Sequence, residues 1–318
     1  MKFKTPAFWF KQTSILAYAL LPFSYIYTYL AFCVRCIQKQ RSQKLDMPTI
    51  CVGNLVMGGA GKTPTVLALA DLLKSQGNKL LIASRGYGGT QVYTGLVQPL
   101  TSYQEAGDEP VLMAQYHPVW VGHDRSKVKD IFQDPPQKTW ILFDDGLQNQ
   151  TLDYDMRIVV IDALQGIGNG FIFPSGPLRP GWKHILEQAD RIIFIKHMEE
   201  SYPKYLDPYK NKIIEARLQV YDQPNLKRVI GFAGIGYPLK FKKTLIACNY
   251  DVLRFLPFPD HYDYQQEDIE KLINLSRKLH ASLITTEKDF VRLKNLNIHH
   301  SIHVLKIQLS LPSGSIMF

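Results

Sequence analysis

The sequence predicts an α/β protein: a P-loop NTPase-like, mostly parallel sheet domain, a second, smaller α/β domain and an N-terminal helical segment suited to a membrane interface. Three observations lead there. A β-branched run, a glycine loop and an apolar-periodic stretch follow one another between Thr49 and Leu73, in the order strand, loop, helix. Short strand-like runs then alternate with helical stretches, as crossover units of a parallel sheet do. Ahead of both lies an uncharged, aromatic segment bracketed by basic residues. The 318 residues allow one large or two medium domains. With 46% hydrophobic and 20% charged residues and no repeat, the chain is neither disordered nor a solenoid.

The N-terminal segment comes first in the chain. From Gln12 to Val34, 23 residues carry no formal charge, with Lys2, Lys4 and Lys11 before them and Arg35, Lys39, Arg41 and Lys44 after. That length is enough to span a bilayer. Against spanning stand Pro22 in the middle and the interface-preferring Tyr18, Tyr25, Tyr27, Tyr29, Ser14, Ser24 and Thr28. With Phe8, Trp9, Phe10, Phe23 and Phe32 added, the stretch reads as one or two helices broken near Pro22, lying in or dipping into a membrane surface. The basic flanks fit anionic headgroups. No small-x-small site closes the apolar run, which argues against a cleaved signal peptide. A helical hairpin packed on the protein's own core is the alternative. Cys33 and Cys36 have no second pair or histidines nearby and read as ordinary buried thiols, and four scattered cysteines in all suit a reducing compartment.

The strand Thr49 to Val52 leads into Gly53-Asn54-Leu55-Val56-Met57-Gly58-Gly59-Ala60-Gly61-Lys62-Thr63-Pro64 and then a helix over Thr65 to Leu73. Glycines let backbone N–H groups curl around phosphate oxygens, and the helix N-terminus adds positive dipole. Val56, Met57, Gly58, Gly59, Ala60, Gly61, Lys62 and Thr63 are the candidate nucleotide loop, Lys62 reaching the terminal phosphates and the Thr63 hydroxyl ligating Mg²⁺. The strict pattern places a glycine where Val56 stands, so the loop matches the shorter glycine-rich variant.

A second metal-holding acid belongs at the end of a buried strand. Thr139 to Phe143 supplies the strand, and Asp144-Asp145-Gly146 sits at its carboxyl end, where ligands bind in open α/β sheets. Adjacent carboxylates repel unless a cation compensates, so the pair suits Mg²⁺ better than a plain surface turn. Further strands are expected at Lys79 to Ser84, Val119 to Val121, Met156 to Ile161 and Arg191 to Ile195.

The formal charge of +9 admits nucleic acid, membrane lipid or a phosphorylated substrate. Seven of those charges lie within residues 1–45, which contain no acid, so the excess is local. That favours an anionic membrane surface over nucleic acid, for which no recognition motif is present. No obligate protein partner is evident.

An ordered series of motifs resembles the tetraacyldisaccharide 4′-kinase family. The series runs from Val52-Gly53-Asn54 with Gly58-Gly59-x-Gly61-Lys62-Thr63-Pro64 through Ser84-Arg85-Gly86-Tyr87-Gly88-Gly89, Gly107-Asp108-Glu109-Pro110, Asp124-Arg125 and Asp144-Asp145-Gly146-Leu147-Gln148. It continues with Gly168-Asn169-Gly170, Pro174-x-Gly176-Pro177-Leu178-Arg179, Phe232-Ala233-Gly234-Ile235-Gly236, Phe258-Pro259-Asp260-His261-Tyr262 and Thr285-Thr286-Glu287-Lys288-Asp289. Leu147 stands where an aromatic is usual, and Pro180-Gly181 where the family often has an acid.

The resemblance implies transfer of the γ-phosphate of ATP to the 4′-hydroxyl of a membrane glycolipid, a tetraacylated glucosamine disaccharide 1-phosphate, in lipid A biosynthesis. The setting it implies is the cytoplasmic face of a bacterial inner membrane. It points to Asp108 and His261 as a catalytic dyad beside Lys62, to Thr63, Asp144, Asp145 and Glu109 around Mg²⁺, and to Arg85, Tyr87, Arg125, Gln148, Asn169 and Arg179 as substrate contacts. Taken by themselves, Gly107 to Pro110 read as a helix start with Asp108 as cap, and His261 is one of nine histidines. Glu287-Lys288-Asp289 reads as an exposed charge pattern at a helix start. The expected layout is a membrane-associating segment over 1–45, a P-loop kinase domain over 46–222 and a C-terminal α/β domain over 223–318, with His261 reaching the cleft from the last. A membrane-recruited P-loop ATPase switch without a lipid acceptor is the alternative.

Overall fold

The computed structural model describes residues 6–11, 13–90, 92–132, 139–294, 296, 302–312 and 314–316; Lys2, Lys4 and Gln12 of the N-terminal segment lie outside these. In chain order the first half holds α1 (Ile15–Ala19), α2 (Leu21–Gln40), β1 (Thr49–Asn54), α3 (Lys62–Ser75), β2 (Lys79–Ser84), β3 (Gly95–Leu96), α4 (Tyr103–Ala106), α5 (Asp108–Met113) and β4 (Val119–Val121). Next come β5 (Thr139–Asp144), β6 (Met156–Asp162), α6 (Trp182–Gln188), β7 (Arg191–Lys196) and β8 (Ile213–Asp222). The chain closes with β9 (Arg228–Ala233), α7 (Pro238–Ala247), β10 (Asp251–Pro257), α8 (Gln266–Leu279), β11 (Ser282–Thr286), α9 (Glu287–Leu293) and β12 (Ile302–Ser310).

The strands form one sheet in the order β10-β9-β11-β12-β8-β7-β6-β1-β5-β2-β4-β3. Its pairings are parallel except β3 with β4 and β12 with β8. β1 lies between β5 and β6, every one of its residues buried, which accounts for its unbroken apolar and small-residue run. α3 covers one face through Val66, Leu69, Ala70 and Leu73, spaced as one side of a helix and packed with Ile50 and Val52. Val159, Ile161, Ile192 and Phe194 point to the other face, where Leu178, Ile185 and Leu186 close over them. A separate cluster around Ile230, Phe232, Tyr264, Ile269 and Leu283 serves the C-terminal strands. Val291, Leu309 and Ile316 nevertheless join the core beneath α3.

The N-terminal segment forms two helices that meet at Leu20, with Pro22 in the first turn of α2, where its missing N–H costs no hydrogen bond. Among the described residues no helix is long and apolar enough to cross a membrane. The hairpin packed on the core is not what forms. α2 buries only Ser24 and leaves Phe23, Tyr25, Ile26, Tyr29, Leu30 and Phe32 exposed. Its contacts are narrow: the Ser24 hydroxyl donates to the Ile172 carbonyl at 2.8 Å and Arg35 Nη1 to the Pro180 carbonyl at 2.7 Å, while ahead of it Trp9 Nε1 donates to the Pro174 carbonyl at 3.0 Å. Because α2 meets the body along so thin an edge, the expectation of buried thiols fails at its C-terminal half: Cys36 is exposed and Cys33 half-buried, and both are free.

Candidate active site

The glycine loop lies at the carboxyl end of β1. Gly58 and Gly61 have φ of 105° and 82°, left-handed values that a side chain resists, and Gly61 caps α3. Thr63 therefore falls in the first turn, with the helix dipole behind it. Lys62 folds back over the loop, its Nζ 3.3 Å from Asn54 Oδ1 and 3.8 Å from Asp145 Oδ2. The Asn54 amide donates to the Val56 carbonyl at 2.8 Å, and the N–H of Met57 to the Pro177 carbonyl at 2.8 Å. The loop is thus held from two sides.

Asp144 ends β5, one strand over from β1, and Asp145 turns left-handed at φ 55° just beyond it. Arg125 is buried and donates to both of their carbonyls, at 3.1 and 2.8 Å. A Cβ on Gly146 would sit 2.4 Å from Cys51 Sγ and 2.6 Å from Arg125 Nη1, so only glycine fits this close approach. The two carboxylates are electrostatically unlike. Burial works to raise Asp145, but Lys62 and Arg179 outweigh it and hold the group well below the usual range; Arg179 Nη2 reaches Oδ2 at 2.9 Å. Asp144 is pushed up to about 7, first by burial and then by Glu109 and Asp145, with Lys62 opposing. Its Oδ1 is buried without a hydrogen-bond partner. A carboxylate raised in this way, with one oxygen unpaired, has the chemistry to accept a cation. Among the described residues no group of three His, Cys, Asp or Glu side chains is gathered around one point.

Asp108 opens α5, and its cap is Gly107, at φ 91°; no side-chain cap bond forms. The reading of Asp108 as a capping residue fails because its carboxylate is engaged elsewhere. Oδ2 lies 2.8 Å from His261 Nδ1 and 3.2 Å from Arg292 Nε, while Oδ1 is buried without a hydrogen-bond partner. Burial raises the Asp108 pKa, but Lys288, His261 and Arg292 more than reverse that and hold it well below the usual range. His261 itself is left-handed at φ 53°, its N–H donating to the Gly234 carbonyl at 3.1 Å. Glu109 pairs with Lys288 at 2.9 Å and also feels Lys62, which brings this carboxylate pair into the neighbourhood of the glycine loop.

The candidate substrate contacts divide. Tyr87 is exposed with its ring edge-on to His261, centroids 5.4 Å apart, and Arg85 is exposed on the same loop. Gln148 has a buried Nε2 without a hydrogen-bond partner. Arg125 and Arg179 brace the paired aspartates. Asn169 braces its own loop, its Nδ2 donating to the Ser175 carbonyl at 3.0 Å and its Oδ1 accepting from Phe171 N–H. The sequence reading missed Lys288 and Arg292. It also took Glu287-Lys288-Asp289 as exposed, whereas Asp289 is fully buried and Glu287 and Lys288 are half-buried. A lysine in the first turn of a helix, against the dipole, was the available signal.

A parallel sheet with a glycine loop, lysine and threonine at the end of its central strand, and acids at the end of the next, defines a P-loop nucleotide-binding protein. The chain belongs to the tetraacyldisaccharide-1-P 4′-kinase (LpxK) family, whose model matches residues 16–316. The tetraacyldisaccharide 4′-kinase of Rickettsia typhi is 35% identical over 324 residues, covering 100% of this chain and 97% of that one. That of Rickettsia akari is 34% identical over 322 residues, covering 100% and 96%. A crystal structure of LpxK from Aquifex aeolicus, described as an "apo" form in complex with ATP, is 28% identical with a TM-score of 0.72, covering 94% of this chain and 96% of that one.

Proposed function

We propose that this chain transfers the γ-phosphate of ATP to the 4′-hydroxyl of a tetraacylated glucosamine disaccharide 1-phosphate, giving lipid IVA. The observation that carries the reading is the state of Asp108: one oxygen tied to His261 and Arg292, the other buried and open, beside a glutamate that feels the P-loop lysine. In the transfer, the acceptor O–H gives its proton to Asp108 Oδ1 as the new O–P bond forms and the bond to the leaving oxygen of ADP breaks. The transition state is loose, so a carboxylate held anionic serves chiefly to orient the hydroxyl and take a late proton. Lys62 and the N–H groups of Gly58, Gly59 and Gly61 bind the phosphates. Mg²⁺, when bound, neutralises charge on them, and Thr63 and Asp144 are the residues placed to hold it. Asp145 fixes Lys62 and Arg179 at the loop.

The acceptor is a lipid, and the exposed aromatic face of α2 supports delivery from a membrane surface on the ATP-containing, cytoplasmic side. The basic residues Arg35, Lys39, Arg41 and Lys44 favour anionic headgroups. In this reading residues 1–45 seat the enzyme, 46–222 bind the nucleotide and 223–318 bring His261 to Asp108. The test is direct. Purified protein with ATP, Mg²⁺ and detergent-dispersed disaccharide 1-phosphate glycolipid should yield product with a second phosphate on the distal sugar. Robust ATP hydrolysis without any transfer to the lipid overturns this reading in favour of a membrane-recruited ATPase switch.

A further inference from the structure

The charged run Glu287-Lys288-Asp289 is where the supports of the Asp108 and His261 pair converge. The first turn of α9 is fixed in place: Asp289 N–H donates to the Thr286 hydroxyl at 3.1 Å, and Asp289 Oδ1 accepts from Gly234 N–H and the Tyr264 hydroxyl, each at 2.8 Å. Lys288 is thereby aimed at the site. A cation in the first turn opposes the helix dipole, so helix formation does not account for it. Its Nζ lies 2.9 Å from Glu109 Oε1 and 3.4 Å from His261 Nε2.

We propose that Lys288 is a positioning residue that fixes which ring nitrogen of His261 carries the proton directed at Asp108, namely Nδ1. An ammonium group has donors and no acceptor, so the ring nitrogen beside it presents its lone pair. The single proton of a neutral ring then sits on Nδ1, which is 2.8 Å from Asp108 Oδ2. An imidazolium would set an N–H against the ammonium. Asp260 Oδ1, at 3.9 Å from Nε2, is beyond hydrogen-bond reach and accepts instead from the His261 backbone N–H at 3.1 Å. Glu109 anchors the ammonium, and the left-handed backbone of His261 fixes the ring's approach. The consequence is that Asp108 Oδ2 is fully committed, to Nδ1–H and to Arg292, and Oδ1 alone is left for the acceptor hydroxyl. With the proton on Nε2, a lone pair would face the carboxylate and the pair would part.

This assignment rests on the kinase reading for its kinetic consequence, but its spectroscopic test stands apart from it. Long-range ¹H–¹⁵N correlation spectra of the full chain with labelled histidine, with the His261 signals identified by their loss in His261→Gln, report the tautomer directly. The wild type should show Nδ1–H, and Lys288→Met should shift the ring to Nε2–H or to a mixture. In the same variant kcat should fall about 100-fold, at the lower end of general acid–base contributions, with KM for ATP little changed. Lys288→Arg should restore the tautomer and part of kcat. If Lys288→Met fails to fold, Lys288→Gln takes its place with the same readouts. An unchanged tautomer in the neutral variant, or a loss of thermal stability with kcat per folded molecule retained, overturns the proposal. Absence of lipid phosphorylation by the wild type overturns the kinase reading instead and leaves the tautomer result in force.

Discussion

Arg35, near the end of α2, donates from Nη1 to the Pro180 carbonyl at 2.7 Å, and the preceding residue, Arg179, donates to Asp145 Oδ2 at 2.9 Å. The exposed aromatic helix and the paired aspartates are therefore joined through two neighbouring residues of one loop. The fit is close: a Cβ on Gly181 would come within 2.0 Å of Arg35 Nη1. The same loop takes the Ser24 hydroxyl at Ile172 and Trp9 at Pro174. Seating α2 in a bilayer would thus present this loop, and the site behind it, at the lipid surface.

Phe23 and Phe32 are exposed at 59% and 57%, and burial of each in an interface is worth about 2 kcal/mol. The double variant Phe23→Ser/Phe32→Ser should lose at least about tenfold in partition onto anionic vesicles while keeping its fold, since neither side chain supports the core. Co-sedimentation with anionic and neutral vesicles at low and high salt measures this. Undiminished binding would mean that α2 is not the membrane contact.

Asp108→Asn keeps the shape of the side chain but removes the accepting charge. Turnover on the glycolipid should fall by about 100-fold or more, and His261→Ala should do the same. ATP affinity should stay within about threefold in both, because Lys62 and the glycine loop are untouched. Near-normal kcat in either variant would remove the pair from the mechanism.

Much of this was legible in sequence because local chemistry specified it. β1, the glycine loop and α3 carry a strand-to-helix change of period around three glycines, and β2, β4, β5, β6 and β7 are short apolar runs whose expected ends fall within about two residues of those observed. Asp108 and His261 were a different matter. They lie 153 residues apart in the chain, and nothing local in either segment announces their contact; only the resemblance joined them. Lys288 and Arg292 escaped because charged residues in a short helix look solvated, and the burial that changes their meaning comes from the packing of α9 on α5. Arg125 and Arg179 also hold the paired aspartates and Asn169 its own loop, contacts between distant segments that no local pattern in the sequence announces.

Gly61 has φ 82°, and a Cβ there would meet Ile195 Cδ1 at 2.5 Å. Gly61→Ala should cost about 1–2 kcal/mol from the left-handed backbone alone, and it should tilt the start of α3 away from the phosphates. ATP titration should show at least about tenfold weaker binding alongside the lower Tm. Wild-type ATP affinity in this variant would mean that the loop does not depend on this turn.

Asp162, at the end of β6, is buried between His197, at 3.1 Å, and Lys240 of α7. Burial alone would raise its pKa, but these partners hold it at about 2, below the model-compound value of 3.8. The folded state therefore binds this proton less readily than the unfolded one. The contribution, about 2 kcal/mol, is present above pH 3.8 and disappears as pH falls toward 2. Chemical denaturation of wild type and Asp162→Asn should give a stability difference that is constant from pH 7 to about pH 5 and narrows below pH 4. A pH-independent difference would show that the charge on Asp162 adds nothing.

Arg292 is the cation around which the remaining charges are arranged, its side chain only 1% exposed. Nε lies 3.2 Å from Asp108 Oδ2 and Nη2 3.1 Å from Asp289 Oδ1, while Nη1 donates to the Tyr262 carbonyl at 3.0 Å and Nη2 to that of Gly234 at 2.9 Å. Removing it leaves two buried carboxylates without their guanidinium, a change that typically costs about 3–5 kcal/mol. Arg292→Met should lower stability by that amount, a large share of the 5–15 kcal/mol or so that a domain possesses. Arg292→Lys should recover little, because one ammonium cannot span both carboxylates and both carbonyls. The sharper expectation concerns the pair: Asp108→Asn combined with Arg292→Met should be more stable than the sum of the single effects predicts, since the second change removes a charge the first had stranded. Additive losses in denaturant melts of the four proteins would mean that Arg292 stabilises the fold through packing against Tyr264 rather than by neutralising Asp108.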